Sequence, residues 1–422
     1  MLFLPFRLPF ARTCRLALLI VACADAPAAA QPPVSARGQG RRAGPRAAGP
    51  APRVAARAPE SAGLAVEHRL SLGAPPAAPA ALDDDTAYVP LRTGKLVAVD
   101  LAAGRVRWTA DMAVTAGPAA GGGLVFVPLA DGLAALANDG SRRWQLPVTG
   151  GFSAPLLWKA GWLIAAANNG DLLCLRASDG HIVWTARVTS PVHGRPALTA
   201  ERVYVSLEDG RVVSHDLATG AVIWEETLGG TPGPVLALDD RIFVGSADKF
   251  FYCLDADRGK RKWRWRMGAG IIGEPVLDAQ HVYFVALDNV LRALHRWNGS
   301  QRWKQGLPVR PSGAPLLAGS ILYVAGVAAE LHAYRADTGA PAGRFAAPAE
   351  LGSPPQLVRA EMDLLSAIVL LTRAGDLQVL RRRIEPALVP LNYPIGVTVP
   401  MEAPPVPAEP VPPEPDAAEP NP

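Results

Sequence analysis

Between residues 64 and 383 the chain alternates short apolar runs, rich in β-branched and aromatic residues, with brief polar segments carrying Gly, Asp or Asn. The clearest unit is Val203-Tyr-Val-Ser-Leu-Glu-Asp-Gly-Arg-Val-Val-Ser-His-Asp-Leu-Ala-Thr-Gly-Ala-Val-Ile-Trp224. It reads as strand, turn, strand, turn, strand. Asp209-Gly210 and Thr219-Gly220 supply the positive φ that tight hairpins require, which predicts a meander of antiparallel strands.

The pattern repeats. The closing aromatic recurs at Trp108, Trp144, Trp184, Trp224, Trp263 and Trp303, at intervals of 36, 40, 40, 39 and 40 residues, with Phe345 taking the place in the next unit. A period near forty with about four short strands marks propeller blades. Four residues before each Trp stands a glycine (Gly104, Gly140, Gly180, Gly220, Gly259, Gly299), which implies a turn of geometry fixed relative to the indole. Six residues before that glycine the occupants are Ala98, Ala134, Cys174, Ser214, Cys253, Ala293 and Ala333, all small, as a closely approached inward strand position requires. Cys174 and Cys253 are therefore read as core fillers, in units too far apart for a disulfide. The Trp at the outer strand is expected to wedge against the neighbouring blade over its glycine turn.

Counting three-strand segments gives starts near Pro76, Gly117, Ser153, His193, Thr231, Ile272, Ser312 and Ser353. The last has no following Trp strand, whereas Leu64-Ala-Val-Glu-His-Arg-Leu-Ser71 resembles an outer strand with no unit before it. The two ends then complete one blade together and close the ring. The expectation is an all-β, eight-bladed propeller of four-stranded antiparallel blades over residues 64–383, with seven as the alternative count.

Composition changes this picture only at the ends. The 40 Gly and 42 Pro suit a chain with many tight turns, and the net charge of +4 is small, but its distribution is uneven. Six arginines and no acid lie between Ala26 and Pro59, and ten prolines with five acids lie between Pro400 and Pro422, with no base after Arg383. Residues 24–63 and 384–422 read as disordered linker and tail. Arg7, Arg12 and Arg15 precede the apolar run 16–22, which has the form of an export signal over residues 1–23 and is too short to span a bilayer. Ile20-Val-Ala-Cys23 matches the bacterial lipobox and makes Cys23 a candidate lipid attachment site, while Ala28-Ala-Ala30 would suit an ordinary signal peptidase. Either reading places the protein in a bacterial envelope: in the periplasm, with the membrane reached only through the possible anchor.

The pattern Ala-x-Asp-x-x-Thr-Gly-x-x-x-Trp, nearly complete in Ala98-Val-Asp-Leu-Ala-Ala-Gly-Arg-Val-Arg-Trp108 and in the segment Ser214–Trp224, resembles the repeat of pyrroloquinoline-quinone (PQQ) enzymes. The same repeat builds the BamB family of outer-membrane assembly lipoproteins, which has eight blades and binds no quinone. The resemblance covers about three quarters of the chain and specifies fold more than function. Catalytic members imply an adjacent cysteine pair beside the quinone, with acids and amides holding calcium. The four cysteines here (Cys14, Cys23, Cys174, Cys253) include no adjacent pair, and no Cys-x-x-Cys-His is present. The expectation is a scaffold without catalytic residues, cofactor or metal, with a PQQ-dependent oxidoreductase or a periplasmic propeller binding a small ligand or glycan as alternatives.

Other candidate chemistry is sparse. The seven histidines are scattered and read as isolated surface residues, and Asp248, Asp255, Asp257, Asp278 and Asp288 read as turn residues that bond their own backbone. The densest charge is Arg258, Lys260, Arg261, Lys262, Arg264 and Arg266, interleaved with Trp263 and Trp265. It is either a solvated outer strand or a partner patch. Export argues against nucleic acid and favours an acidic envelope protein or anionic surface.

Overall fold

A computed structural model describes residues 63–358 and 367–382. The signal sequence, Cys23, nearly all of the Arg-rich linker and the acidic tail lie outside the described residues. The strands form eight four-stranded antiparallel sheets. Seven blades are consecutive in the chain: 81–111, 119–147, 157–187, 197–227, 232–266, 271–306 and 316–346, here blades 1 to 7. Blade 8 takes Gln356–Val358, Ala367–Leu371 and Asp376–Arg382 from the end of the ring and Leu64–Ser71 from its start. The seam runs in register from Leu64 opposite Arg382 to Ser71 opposite Asp376, with a bulge at Val66/His68, and Glu67 and Arg381 form an ion pair across it.

The core settles the blade count at eight. Among the described residues, buried apolar side chains fall into eight clusters, and each draws on two consecutive blades. One cluster joins Val99 and Leu101 of blade 1 to Leu371 and Val379 of blade 8, and another joins Tyr323 and Phe345 of blade 7 to Ile368, Leu380 and Leu64. The ring is closed by the same apolar packing that joins its other blades, so no sheet face is left to solvent at the seam. First strands of neighbouring blades lie beside one another, which sets them innermost and the Trp-bearing fourth strands outermost. Cys174 and Cys253 are free and buried in different interfaces, between blades 3 and 4 and blades 5 and 6 respectively, and burial pushes their thiols up to about 12 and about 11.

The repeat's consensus residues have local causes. In the turn after the third strand of blade 4, Asp216 Oδ1 accepts from the Ala218 and Thr219 amides (3.1 and 2.8 Å) and from the Thr219 hydroxyl (2.7 Å). The Gly220 amide then donates to the Asp216 carbonyl at 2.9 Å, with Gly220 at φ +74°. Asp fixes the turn and Gly takes the one left-handed position.

Each tryptophan then covers the turn of the next blade. The indole N–H of Trp108, Trp144, Trp184, Trp224, Trp263 and Trp303 donates to the carbonyl of Asn138, Ala177, Leu217, Ala256, Arg296 and Ala336, at 2.7 to 3.2 Å. The rings lie so close to Gly140, Gly180, Gly220, Gly259, Gly299 and Gly339 that a Cβ there would meet indole carbons at 2.5 to 3.1 Å. Trp184, Trp224 and Trp303 are buried and the other three half-buried.

Three expectations need correction. Phe345 does not hold the Trp position of blade 7. Ala333 faces Gly343, as Ala293 faces Trp303, and Phe345 lies two residues further along the strand in the interface with blade 8. The reason is the seam: blade 8 passes from Arg382 to Leu64 with no turn between its third and fourth strands, so there is nothing for a docking indole to cover. In blade 2 the small residue opposite Trp144 is Ala135, not Ala134, because that turn is one residue tighter: the Gly140 amide reaches the carbonyl three residues back instead of four. The histidines are not all isolated surface residues. His215 is buried, stacked on Trp184 with ring centroids 6.1 Å apart, and its Nδ1 donates to the Gly220 carbonyl at 3.0 Å. His68, on the closing strand, occupies the docking position of blade 8: it packs on Gly104, where a Cβ would lie 2.5 Å from its ring, and its Nε2 donates to the Ala102 carbonyl at 2.9 Å.

Candidate functional site

The basic run predicted as a partner patch divides by strand geometry. Arg261–Arg266 is the outermost strand of blade 5, and Arg258 and Lys260 belong to the turn before it. Trp263 and Trp265 face the blade 5–blade 6 interface, so the interleaved aromatics offer no stacking platform for bases. Arg261 is held by Glu226 (2.6 Å) and the Thr227 carbonyl (2.9 Å), and lies over the Tyr252 ring. Lys262 bridges Asp240 (3.1 Å) and Asp255 (3.0 Å), and its hydrogen bonds to Asp255, then Asp240, hold the ammonium above its ordinary range. Arg264 lies over Phe250, 4.7 Å from the ring centre. Among the described residues Arg258, Lys260, Arg264 and Arg266 have no ion pair, and all four are exposed. Acids from the adjacent turn and blade neutralise two of the six cations.

Beside this strand lies a feature that charge counting missed. Two residues before the docked glycine, the other turns carry Ala102, Asn138, Ser178, Ala218, Asp257 and Asp337; blade 6 carries Trp297. Three residues before it, the others carry buried Leu101, Ala137, Ala177, Leu217, Ala256 and Ala336; blade 6 carries Arg296, 9% exposed. Trp297 is 44% exposed and covers no neighbouring turn. The guanidiniums of Arg241 and Arg296 each stand 4.5 Å from its ring centre. Arg241 donates to the Trp297 carbonyl at 3.3 Å, and Arg296 pairs with Asp239 at 2.8 Å while its Nε stays buried without a hydrogen-bond partner. Asp240, which binds Lys262, also approaches Arg241 Nε at 3.5 Å and joins the Trp297 cluster to the basic strand. An orphaned buried guanidinium N–H costs stability, a cost the repeat avoids elsewhere by placing Ala or Leu there. Comparing the repeats at these two positions would have revealed the site.

The ring centre holds a second polar locus. Glu274, on the innermost strand of blade 6, has its carboxyl pushed up by burial, and Arg195 of blade 4 pulls it partly back. The aspartates considered for calcium are committed elsewhere: Asp248 and Asp278 accept from the hydroxyls of Tyr252 and Tyr283, Asp288 pairs with Arg292, and Asp255 and Asp257 bind Lys262 and Arg202. Among the described residues no three His, Cys, Asp or Glu side chains converge as metal ligands. The sequence has no adjacent cysteine pair of the kind the resemblance implies for the catalytic members.

Fold and sites together define a PQQ-type repeat propeller closed on itself, with its polar distinctiveness on the rim of blades 5 and 6. A family model described as outer membrane protein assembly factor BamB matches residues 53–146, 130–232, 208–350 and 291–381, and the chain belongs to this BamB family. The BamB of Nitrosomonas eutropha is 28% identical over 220 residues, covering 48% of this chain and 54% of that protein, so the match spans about half the length of this relative. The BamB of Yersinia pestis is 24% identical over 282 residues, covering 59% and 71%. A quinohemoprotein alcohol dehydrogenase of Pseudomonas putida is 26% identical over 209 residues, covering 43% of this chain but 29% of the enzyme. The crystal structure of BamB from Moraxella catarrhalis shares the fold, with a TM-score of 0.64 at 19% identity over 75% of this chain and 99% of that one.

Proposed function

We propose that the protein is a non-catalytic scaffold of the bacterial envelope that takes part in outer-membrane protein assembly by holding an envelope protein on the rim of its propeller. The observation that carries this reading is a family match running along the whole ring. In this account the Arg-rich segment tethers the ring to the membrane through a lipidated Cys23. The mass of the mature N-terminus beside that of a Cys23→Ser variant tests the tether. A diacylglyceryl mass that the variant loses supports it, and an unmodified start near Gln31 removes it.

A quinone-dependent oxidoreductase is the competing reading, favoured only by the shared repeat. Titrating the purified protein with PQQ and calcium separates the two. Absence of bound-quinone absorbance and of dye reduction with alcohols or aldoses supports the scaffold, whereas stoichiometric binding with turnover refutes it. A small ligand or glycan at the ring centre is the third reading, for which Glu274 and Arg195 are the polar groups at hand.

A further inference from the structure

We infer that the cluster of Trp297, Arg241 and Arg296 on blades 5 and 6 binds the chain's own proline-rich acidic tail, Pro400–Pro422. The inference does not rest on the assembly reading, and a tail bound here shares the basic rim with the envelope partner proposed above.

The surface fits that occupant in three respects. The first is polarity: an indole that is 44% exposed, with the guanidiniums of Arg241 and Arg296 over its ring, presents apolar surface beside cationic groups, and extended proline-rich segments are commonly bound on exposed aromatics. The tail places ten prolines in 23 residues. The second is charge. Arg258, Lys260, Arg264 and Arg266 have no ion pair among the described residues, and the tail carries Glu402, Glu409, Glu414, Asp416 and Glu419 with no base. The third is reach. The chain leaves the ring at Arg382, the end of the third strand of blade 8, and Trp297 sits in the turn that follows the third strand of blade 6. Both points are on the same face, two blades apart. The 17 residues from Ile384 to Pro400 can extend by about 55 Å, more than the about 45 Å width of a ring with four-stranded blades at about 4.8 Å strand spacing. The contact accounts for a departure of this chain from its own repeat: a buried Arg with an orphaned Nε where the other turns have Ala or Leu, beside an exposed Trp where they have Ala, Asn, Ser or Asp.

The test uses the full chain with the photo-crosslinking residue p-benzoylphenylalanine at position 408, prepared as a mixture of isotope-labelled and unlabelled protein. Crosslinks within one chain to the segments 239–241, 258–262 and 296–298 are expected. Trp297→Ala should lower their yield by about fivefold or more, a double Arg258→Ser, Lys260→Ser variant should lower it further, and so should roughly 0.5 M NaCl. Trp297 is exposed and covers no neighbouring turn, so an unchanged thermal midpoint shows that the variant still folds. Crosslinks spread around the ring, crosslinks between copies, or a yield indifferent to Trp297→Ala would overturn the inference. Trp297-dependent binding to phosphatidylglycerol vesicles with an unchanged crosslinking yield would overturn it in favour of a membrane surface.

Discussion

Replacing Trp184 by Ala removes a side chain that is 7% exposed, packs on Gly220 and His215, and donates to the Leu217 carbonyl at 2.7 Å. Burial of that order costs about 3 to 5 kcal/mol when an aromatic is truncated, part of it the penalty of leaving the Leu217 carbonyl unpartnered between blades 3 and 4. Unfolding entropies near 2.1 cal/mol/K per residue give a ring of roughly 300 described residues about 0.6 kcal/mol/K. The thermal midpoint should therefore fall by about 5 to 8 °C. Trp184→Phe keeps most of the ring contact and loses the N–H, so about 1 to 2 kcal/mol and roughly 2 to 3 °C are expected. Trp108→Ala, at a half-buried indole, should fall between the two. Differential scanning calorimetry on the three variants reads these shifts directly. A drop below about 2 °C for Trp184→Ala, or the same drop for Ala and Phe, would refute docking by the indole and its N–H as the glue between blades.

The seam and a buried histidine give two further predictions. His68→Trp supplies the closing blade with the residue the repeat uses elsewhere, over a Gly104 turn already shaped for it, and should raise stability by about 1 kcal/mol and the midpoint by roughly 1 to 2 °C; a lower midpoint means that the seam is built around imidazole. Burial holds His215 below its ordinary range, so the unfolded chain takes up a proton near pH 6.5 before the folded one does, and stability present above that pH is lost as pH falls through it. His215→Leu, the residue blades 3, 5 and 6 carry at the same place as Leu175, Leu254 and Leu294, should flatten this slope in denaturant midpoints measured from pH 7 to 5; an undiminished slope assigns it to other groups, His332 first, which burial also lowers.

The ring was legible because its determinants are local and repeated. A glycine four residues before a tryptophan encodes a turn and the indole that covers the corresponding turn of the following blade, and the spacing survives in the bare sequence. The closing of the ring by residues 64–71 was legible for the complementary reason: one unit lacked a strand and one strand lacked a unit. His68 escaped notice because its signal is relational. It stands 36 residues before Gly104, the same interval that separates Trp144 from Gly180, yet its residue type does not match. Phe345 misled in the opposite way, since it is aromatic and near the right place, and only the pairing of Ala333 with Gly343 shows the slot to be empty of a docking ring. The basic strand could be seen but not valued, because Glu226 and Asp240, which neutralise part of it, are remote in sequence, and nearby Asp255 reads as a turn residue. Trp297 was hidden among ten tryptophans until its position in the turn set it apart.

The proposed role makes this propeller a holder of an envelope protein. Affinity capture of the full chain from lightly crosslinked envelopes, with the bound proteins identified by mass spectrometry, tests it most directly. Recovery of an integral outer-membrane assembly protein is expected, diminished when the basic strand of blade 5 is altered by Arg264→Ser and Arg266→Ser; capture of no outer-membrane or periplasmic protein would overturn the proposed role.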